Sequence, residues 1–238
     1  MKEKLYTIPV NEAFHIDCEC PVCTIYHTLE KEAIEYTMGP SYMEDDIREM
    51  TNKFGFCQKH IKQLYGNQNR LGLALILSTH MEKVLKDLSS LTKTIPKAPG
   101  LIKKKEIHPV ISYIKKIDDS CFICDHIDRT FNRYLSTILY LYRTEQDFRV
   151  LFKNSKGICQ PHYGRLFEMA GKDLSGSTYQ NFIKDLNEVF LENIHRVLDD
   201  LTWLIDKFDY RNTNEPWKNS KDALPRAIQK LNGVDIQV

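Results

Sequence analysis

Apolar residues along this chain recur every three to four positions, and nowhere do they alternate with the sustained period of two that a strand would show. From Cys23, Thr24, Ile25 and Tyr26 the helical pattern continues through Leu29, Ala33 and Ile34 to the breaker pair Gly39-Pro40. Ser41 with Glu44 three residues on reads as a capping box, opening a short helix through Arg48. Gly55 permits the turn that delivers Cys57, and Gln58 to Tyr65 makes a further helix closed by Gly66. Asn67 is the expected N-cap of a long helix with Leu71, Leu75, Ile76, Val84, Leu85 and Leu88 on its inner side. The second half repeats the plan over Ile127–Tyr142, Glu145–Phe152 and Pro161–Met169. It ends in a longer helix from about Thr178 to Phe208, striped by Phe182, Leu186, Val189, Phe190, Val197, Leu201 and Leu204. The expected fold class is all-α.

The two halves share more than a helical rhythm. Pro9-Val10, Ile16-Asp17, Cys20, Cys23, Glu44, Arg48, Gly55, Cys57, His60, Leu64 and Tyr65 match Pro109-Val110, Ile117-Asp118, Cys121, Cys124, Glu145, Arg149, Gly157, Cys159, His162, Leu166 and Phe167. Twenty residues separate the second Cys from the Glu in both, and the offset drifts only from 100 to 102. This pattern reads as an internal duplication of two helical modules, at a period too long for a solenoid repeat. The expected layout is a first module over 1–93, a Lys/Pro linker over 94–106 with Pro96, Pro99, Gly100 and Lys103-Lys104-Lys105, and a second module over 107–210. A polar tail over 211–238 is expected to form one short helix near Asp222–Leu231 and otherwise to lie loosely on the body.

Composition adds bounds. At 42% hydrophobic and 27% charged the 238 residues are those of a globular protein, and a formal charge of +1 sets up no global attraction to nucleic acid or to an anionic membrane. No apolar leader opens the chain, and the longest apolar stretch, Leu73–Leu77, is far too short to span a bilayer. A cytoplasmic location is expected. There, seven cysteines in pairs and singles point to metal ligation rather than to a disulfide framework.

Two residues three apart at the first turn of a helix can face one ion, and the free N–H groups and dipole of that turn stabilise thiolates. Each half carries one C-x-x-C and one C-x-x-H. The simplest expectation is one tetrahedral Cys3His site per half, Cys20, Cys23, Cys57 and His60 in the first and Cys121, Cys124, Cys159 and His162 in the second, each holding Zn²⁺. Four protein ligands leave no open position, which favours a structural role over Lewis-acid catalysis. An iron–sulfur cluster is the alternative cofactor. Glu44 with Arg48, and Glu145 with Arg149, are i, i+4 pairs whose arginines could offset the −1 charge of such a site. Cys18 falls opposite Asp119 and is the odd thiol. His15, His27, His80, His108, His126 and His195 have no counterpart and are read as surface or packed residues.

The runs Ile8-Pro9-Val10-Asn11-Glu12-Ala13-Phe14 and Glu19-Cys20-Pro21-Val22-Cys23 resemble the start of an uncharacterised bacterial family of unknown function, found chiefly in anaerobic Gram-positive organisms. Met38-Gly39-Pro40, Met43-Glu44, Arg48, Asn52, Gly55-Phe56-Cys57 and Asn69-Arg70-Leu71-Gly72-Leu73-Ala74-Leu75 carry the resemblance further. It implies no activity or substrate. With no nucleophile–base constellation and no phosphate-binding loop, the sequence favours a metal-stabilised, non-enzymatic protein that binds another protein. A thiol-based or iron–sulfur redox sensor using Cys18 is the second reading. Nucleic-acid binding through Lys103-Lys104-Lys105 and Lys115-Lys116 is the third.

Overall fold

A computed structural model describes residues 4–93 and 107–236, so the 94–106 linker and its three lysines lie outside the described residues. Eleven α-helices and two short 3-10 turns make up the described chain, with no strand among the described residues. The helices are α1 (Lys4–His15), α2 (Pro21–Met38), α3 (Asp45–Phe54), α4 (Gln58–Gly66), α5 (Arg70–Leu91), α6 (Pro109–Asp118), α7 (Phe122–Thr144), α8 (Gln146–Lys153), α9 (Gln160–Asp173), α10 (Gly176–Asp206) and α11 (Ala223–Asn232). None is long and apolar enough to cross a membrane.

The chain divides into two compact units that cut across its halves. One comprises 1–28 and 130–238, the other 29–129, and the divisions fall inside α2 and α7. The first unit has an aromatic centre. Phe14 of α1 meets Phe148 and Phe152 of α8 at ring separations of 5.1 and 5.8 Å, and Phe182 of α10 meets Tyr142 and Phe152 at 4.9 and 5.6 Å. The Phe14–Phe148 and Tyr142–Phe182 pairs are edge-to-face, an arrangement that adds to the stabilisation from burial. The Tyr142 hydroxyl is satisfied by donating to the Asp185 carboxylate at 2.8 Å. The predicted stripe of α10 faces this core at Phe182, Leu186, Val189 and Val197, all buried.

The second unit buries Leu29, Ala33 and Met38 of α2 with Ile47, Leu64, Leu73, Ile76, Phe122, Ile123 and Ile127. Its local signals differ from expectation in three places. Ser41 lies within a 3-10 turn (Pro40–Met43) and its hydroxyl donates to the Tyr36 carbonyl, closing α2 rather than opening α3. Glu44 is the N-cap residue of α3 by backbone alone. The cap of α5 is Asn69, not Asn67: the Asn69 side chain accepts from Gly72 N–H at 2.9 Å and donates to the Met38 carbonyl at 2.8 Å. The buried face of α5 is Gly72, Leu73 and Ile76, while Leu71 and Leu85, expected on the inner side, are more than two-thirds exposed.

Two helices were not predicted, α1 and α6. The signal for α6 is Pro109 in its first turn, where a missing N–H costs nothing, with the His108 ring accepting from Val110 N–H at 3.2 Å. The tail is also not loose. The Lys207 ammonium, 8% exposed, donates to the carbonyls of Asn212, Thr213 and Glu215 at 2.6–3.0 Å, using all three donors. Beyond that turn, α11 packs on α9 and α10 and buries Ala223, Ala227 and Lys230.

Candidate metal centres

All eight predicted ligands are brought together, but in crossed sets. Cys20, Cys23, Cys159 and His162 form one cluster, and Cys57, His60, Cys121 and Cys124 form the other; within each, the ligand atoms all lie within 4.8 Å of one another. The expected grouping of each half's C-x-x-C with its own C-x-x-H is therefore corrected. A helix separates the two motifs of each half, α2 of 18 residues in the first and α7 of 23 in the second, and in neither half do the two motifs share a cluster.

Both clusters sit on helix N-termini, as the spacing predicted. Cys20 precedes Pro21, the first residue of α2, and its Sγ accepts from Cys23 N–H at 3.3 Å; Cys121 Sγ accepts likewise from Cys124 N–H at 3.5 Å. Cys57 and Cys159 are the N-cap residues of α4 and α9, placing His60 and His162 in the first turn of each. Gly55 and Gly157 make the approach to these caps at φ of +58° and +93°, a region L side chains avoid. A Cβ on Gly55 would come within 2.9 Å of the His80 ring, and one on Gly157 within 2.8 Å of Asn193 Cβ.

In the first cluster His162 Nδ1 faces all three sulfurs, 3.7 Å from Cys20, 3.4 Å from Cys23 and 3.2 Å from Cys159, and Cys23 Sγ lies 3.5 Å from Cys159 Sγ. The four residues are all buried. Aromatic rings fix the imidazole, with Phe131 and Tyr26 at 5.2 and 6.0 Å. In the second cluster His60 Nδ1 is 3.3 Å from each of Cys57, Cys121 and Cys124, and Cys57 and Cys124 Sγ are 4.0 Å apart. Here a carboxylate sets the ring: His60 Nε2 donates to Glu30 Oε1 at 3.0 Å, leaving Nδ1 to ligate. Glu30 also accepts from Lys59 at 2.5 Å and Gln63 at 3.0 Å. Burial alone would raise its pKa, but hydrogen bonds from His60, Lys59 and Gln63 hold it down to about 2.

The thiols show how strongly each cluster calls for positive charge. Hydrogen bonds from Cys20 and Cys23 hold Cys159 down to about 4, while Cys23, bonded to that thiolate and buried, is pushed far up. Burial opposes ionisation of Cys121, yet its hydrogen bond to His60 brings it to about 6; Cys124 is pushed up by burial and by the charge on Cys121. Three sulfurs this close ionise together only around a cation, so either set could hold a single metal ion.

The surroundings of the two clusters differ at matched positions. In the second, Phe122 N–H donates to the Gly55 carbonyl at 2.9 Å and the Ser120 hydroxyl to the Phe54 carbonyl at 2.7 Å, tying the C-x-x-C to the G-x-C turn. In the first, the place of Phe122 is taken by Pro21, which has no N–H to give. The link is made instead by the Lys230 ammonium, 1% exposed, which donates to the carbonyls of both Glu19 and Lys156 and lies 3.0 Å from the Glu19 carboxylate. Arg196 joins the same carboxylate at 2.5 Å. Gly233, the left-handed residue that ends α11, rests against the cluster, where a Cβ would lie 3.4 Å from Cys159 Sγ. No sequence signal marks Lys230, 211 positions from Glu19, apart from the missing donor at Pro21.

The remaining candidates lie elsewhere. Arg48 donates to the Leu75 carbonyl and the Thr79 hydroxyl, both at 3.1 Å, and Arg149 donates to the carbonyls of Tyr142 and Arg143. Glu44 and Glu145 are N-cap residues of α3 and α8, each accepting through its backbone from the arginine four residues on. Cys18 is half-buried and outside both sets; burial pushes its thiol up, away from the low value a reactive thiolate requires. His80 Nδ1 donates to the Asn52 carbonyl at 2.9 Å, and His126 stacks on Tyr36 at 5.7 Å.

A family model described as a family of unknown function (DUF6062) matches residues 1–237. Comparison with curated proteins and with solved structures gives no match to either.

Proposed function

The chain belongs to this family of unknown function, and we propose that it is a non-enzymatic protein whose two Cys3His clusters each hold one zinc ion in a structural role. The observation that carries this reading is the clustering of eight ligand atoms into two sets, each within 4.8 Å. Bonds of about 2.3 Å to sulfur and 2.0–2.1 Å to nitrogen put the ligands of a tetrahedral ion roughly 3.5–3.8 Å apart. Eight of the separations, 3.2–4.0 Å, bracket that range, and every pair lies within 4.8 Å. An iron–sulfur cluster inserts several atoms between its cysteines and needs them spread further. Thiolate with imidazole suits zinc. The matched motifs support reading the halves as copies of one ancestral module.

Bound zinc supplies no open position to a substrate here, so the chain's own residues do the remaining work of shaping and holding the fold. Structural zinc contributes roughly 10–16 kcal/mol in small peptides, as much as the whole stability of a typical domain. The cellular role that follows is interaction with another protein, the zinc ions keeping the helical surface in shape.

Elemental analysis of protein purified without oxygen tests the reading, together with its visible spectrum. Two zinc ions per chain in a colourless sample are expected, with loss of helical signal on strong chelation. Iron with visible absorption would make redox chemistry the leading reading, and no bound metal would remove both. Affinity capture from native extract should return a reproducible protein partner. A salt-sensitive shift with DNA or RNA instead would favour the lysine-run reading.

A further inference from the structure

We propose that the two metal sites divide the labour, the site of Cys20, Cys23, Cys159 and His162 retaining its ion and the site of Cys57, His60, Cys121 and Cys124 exchanging its ion with thiols and chelators in solution. The inference rests on the proposed zinc occupancy and adds which site is open. Every ligand of the first site is buried. Its cover is the end of the chain: Lys230 clamps the Glu19 and Lys156 carbonyls, and Gly233 lies against Cys159 with its carbonyl 4.0 Å from Cys23 Sγ. An incoming ligand reaches that site only after α11 lifts away, a local opening that breaks the buried Lys230–Glu19 pair.

The second site is open along one edge. His60 and Cys121 are buried, but Cys57 and Cys124, neighbours at 4.0 Å, are both partly exposed. With zinc bound, a thiolate from solution would take the place of Cys57 or Cys124, whose sulfur would leave with a proton taken up from water. Glu30 would hold the His60 ring in place from behind throughout. No oxidant is required. The chemical class served is a divalent zinc-type cation carried by a soft, thiol-bearing acceptor or donor.

Stopped-flow transfer of zinc from the full chain to a chromophoric chelator tests the division. Two phases of one equivalent each are expected, with rates about tenfold or more apart. Alkylation read by mass spectrometry during the fast phase should modify Cys57 and Cys124 before Cys20, Cys23 or Cys159. Lys230→Met should speed the slow phase and leave the fast one unchanged. A single phase, or early alkylation of the first set, overturns the division while leaving two bound zinc ions intact. Fewer than two ions at the outset would instead mean that the zinc reading itself fails.

Discussion

Glu30→Gln separates a carboxylate that tunes a metal ligand from one that merely fills space. Glu30 is 6% exposed and accepts three hydrogen bonds, from His60 Nε2 at 3.0 Å, Lys59 Nζ at 2.5 Å and Gln63 Nε2 at 3.0 Å. Glutamine keeps the shape but only one acceptor oxygen, and its NH₂ must face a donor. The imidazole loses a charge-assisted partner that raises its basicity toward the ion. Such losses cost about 10–100-fold in metal affinity, or ~1.4–2.7 kcal/mol. Competition against a chelator of known affinity measures both ions at once, and the first site, walled by Phe131 and Tyr26 instead of a carboxylate, is the internal control. Only the site of His60 should weaken. Because Glu30 is held at about 2, the wild-type carboxylate is ionised throughout the neutral range and the difference should not vary between pH 6 and 8. An unchanged affinity, or equal weakening of both sites, would refute the reasoning.

Other perturbations read different parts of the structure. Lys230→Met removes a donor from the Glu19 carbonyl, leaves the Lys156 carbonyl only the longer bond from Arg196, and leaves the buried Glu19 carboxylate with less positive charge; it should destabilise the zinc-loaded protein by about 3–5 kcal/mol, seen as a lower urea midpoint at unchanged slope. Gly157→Ala places a Cβ 2.8 Å from Asn193 Cβ at φ +93° and should cost about 1–3 kcal/mol, whereas Gly164→Ala, within α9 with nothing inside 4 Å, should stabilise by about 0.5–1 kcal/mol in the same denaturation assay. Glu30 is depressed from 4.5, so its stabilisation is complete above about pH 4.5 and lost as pH falls toward 2. An acid titration followed by circular dichroism should therefore be shallower for Glu30→Gln across that window.

Much of this protein is legible from its residues, and the exceptions have physical causes. The 3.6-residue rhythm locates α2, α4, α7, α9 and α10 to within a few residues, because each buries one continuous face. The eight ligand candidates follow from spacing alone, since a C-x-x-C or C-x-x-H at a helix start presents both side chains to one point. Which motif meets which is another matter. Spacing describes a turn, while pairing depends on where an intervening helix of 18 or 23 residues delivers the chain. Lys230 and Glu30 were out of reach for a related reason. A buried ammonium or carboxylate in an amphipathic helix has the same sequence signature as a solvated one, and only its partners distinguish it. Asn67 and Asn69 are both good caps, and the choice fell to the residue whose amide also reaches the Met38 carbonyl.

The crossed ligand sets bear directly on the proposed duplication. Two copies that each closed their own site would be independent modules, free to drift or to lose one site without harm to the other. Here neither half holds a complete tetrahedral set: residues 1–93 supply the C-x-x-C of one cluster and the C-x-x-H of the other, and the second half supplies the complements. On the proposed duplication, two like modules complete two sites by exchange, each half giving the C-x-x-C of one cluster and the C-x-x-H of the other. Joining them in one chain removes the cost of association and lets the sites diverge. The divergence is visible at one position. The Phe122 N–H ties its C-x-x-C to Gly55, whereas Pro21 has no N–H, and Lys230 of α11 makes the tie in the other site. The same helix ends with Gly233 against Cys159, where all four ligands are buried, while Cys57 and Cys124 of the other site are partly exposed. The difference in burial between the sites thus goes with a backbone N–H present at Phe122 and absent at Pro21.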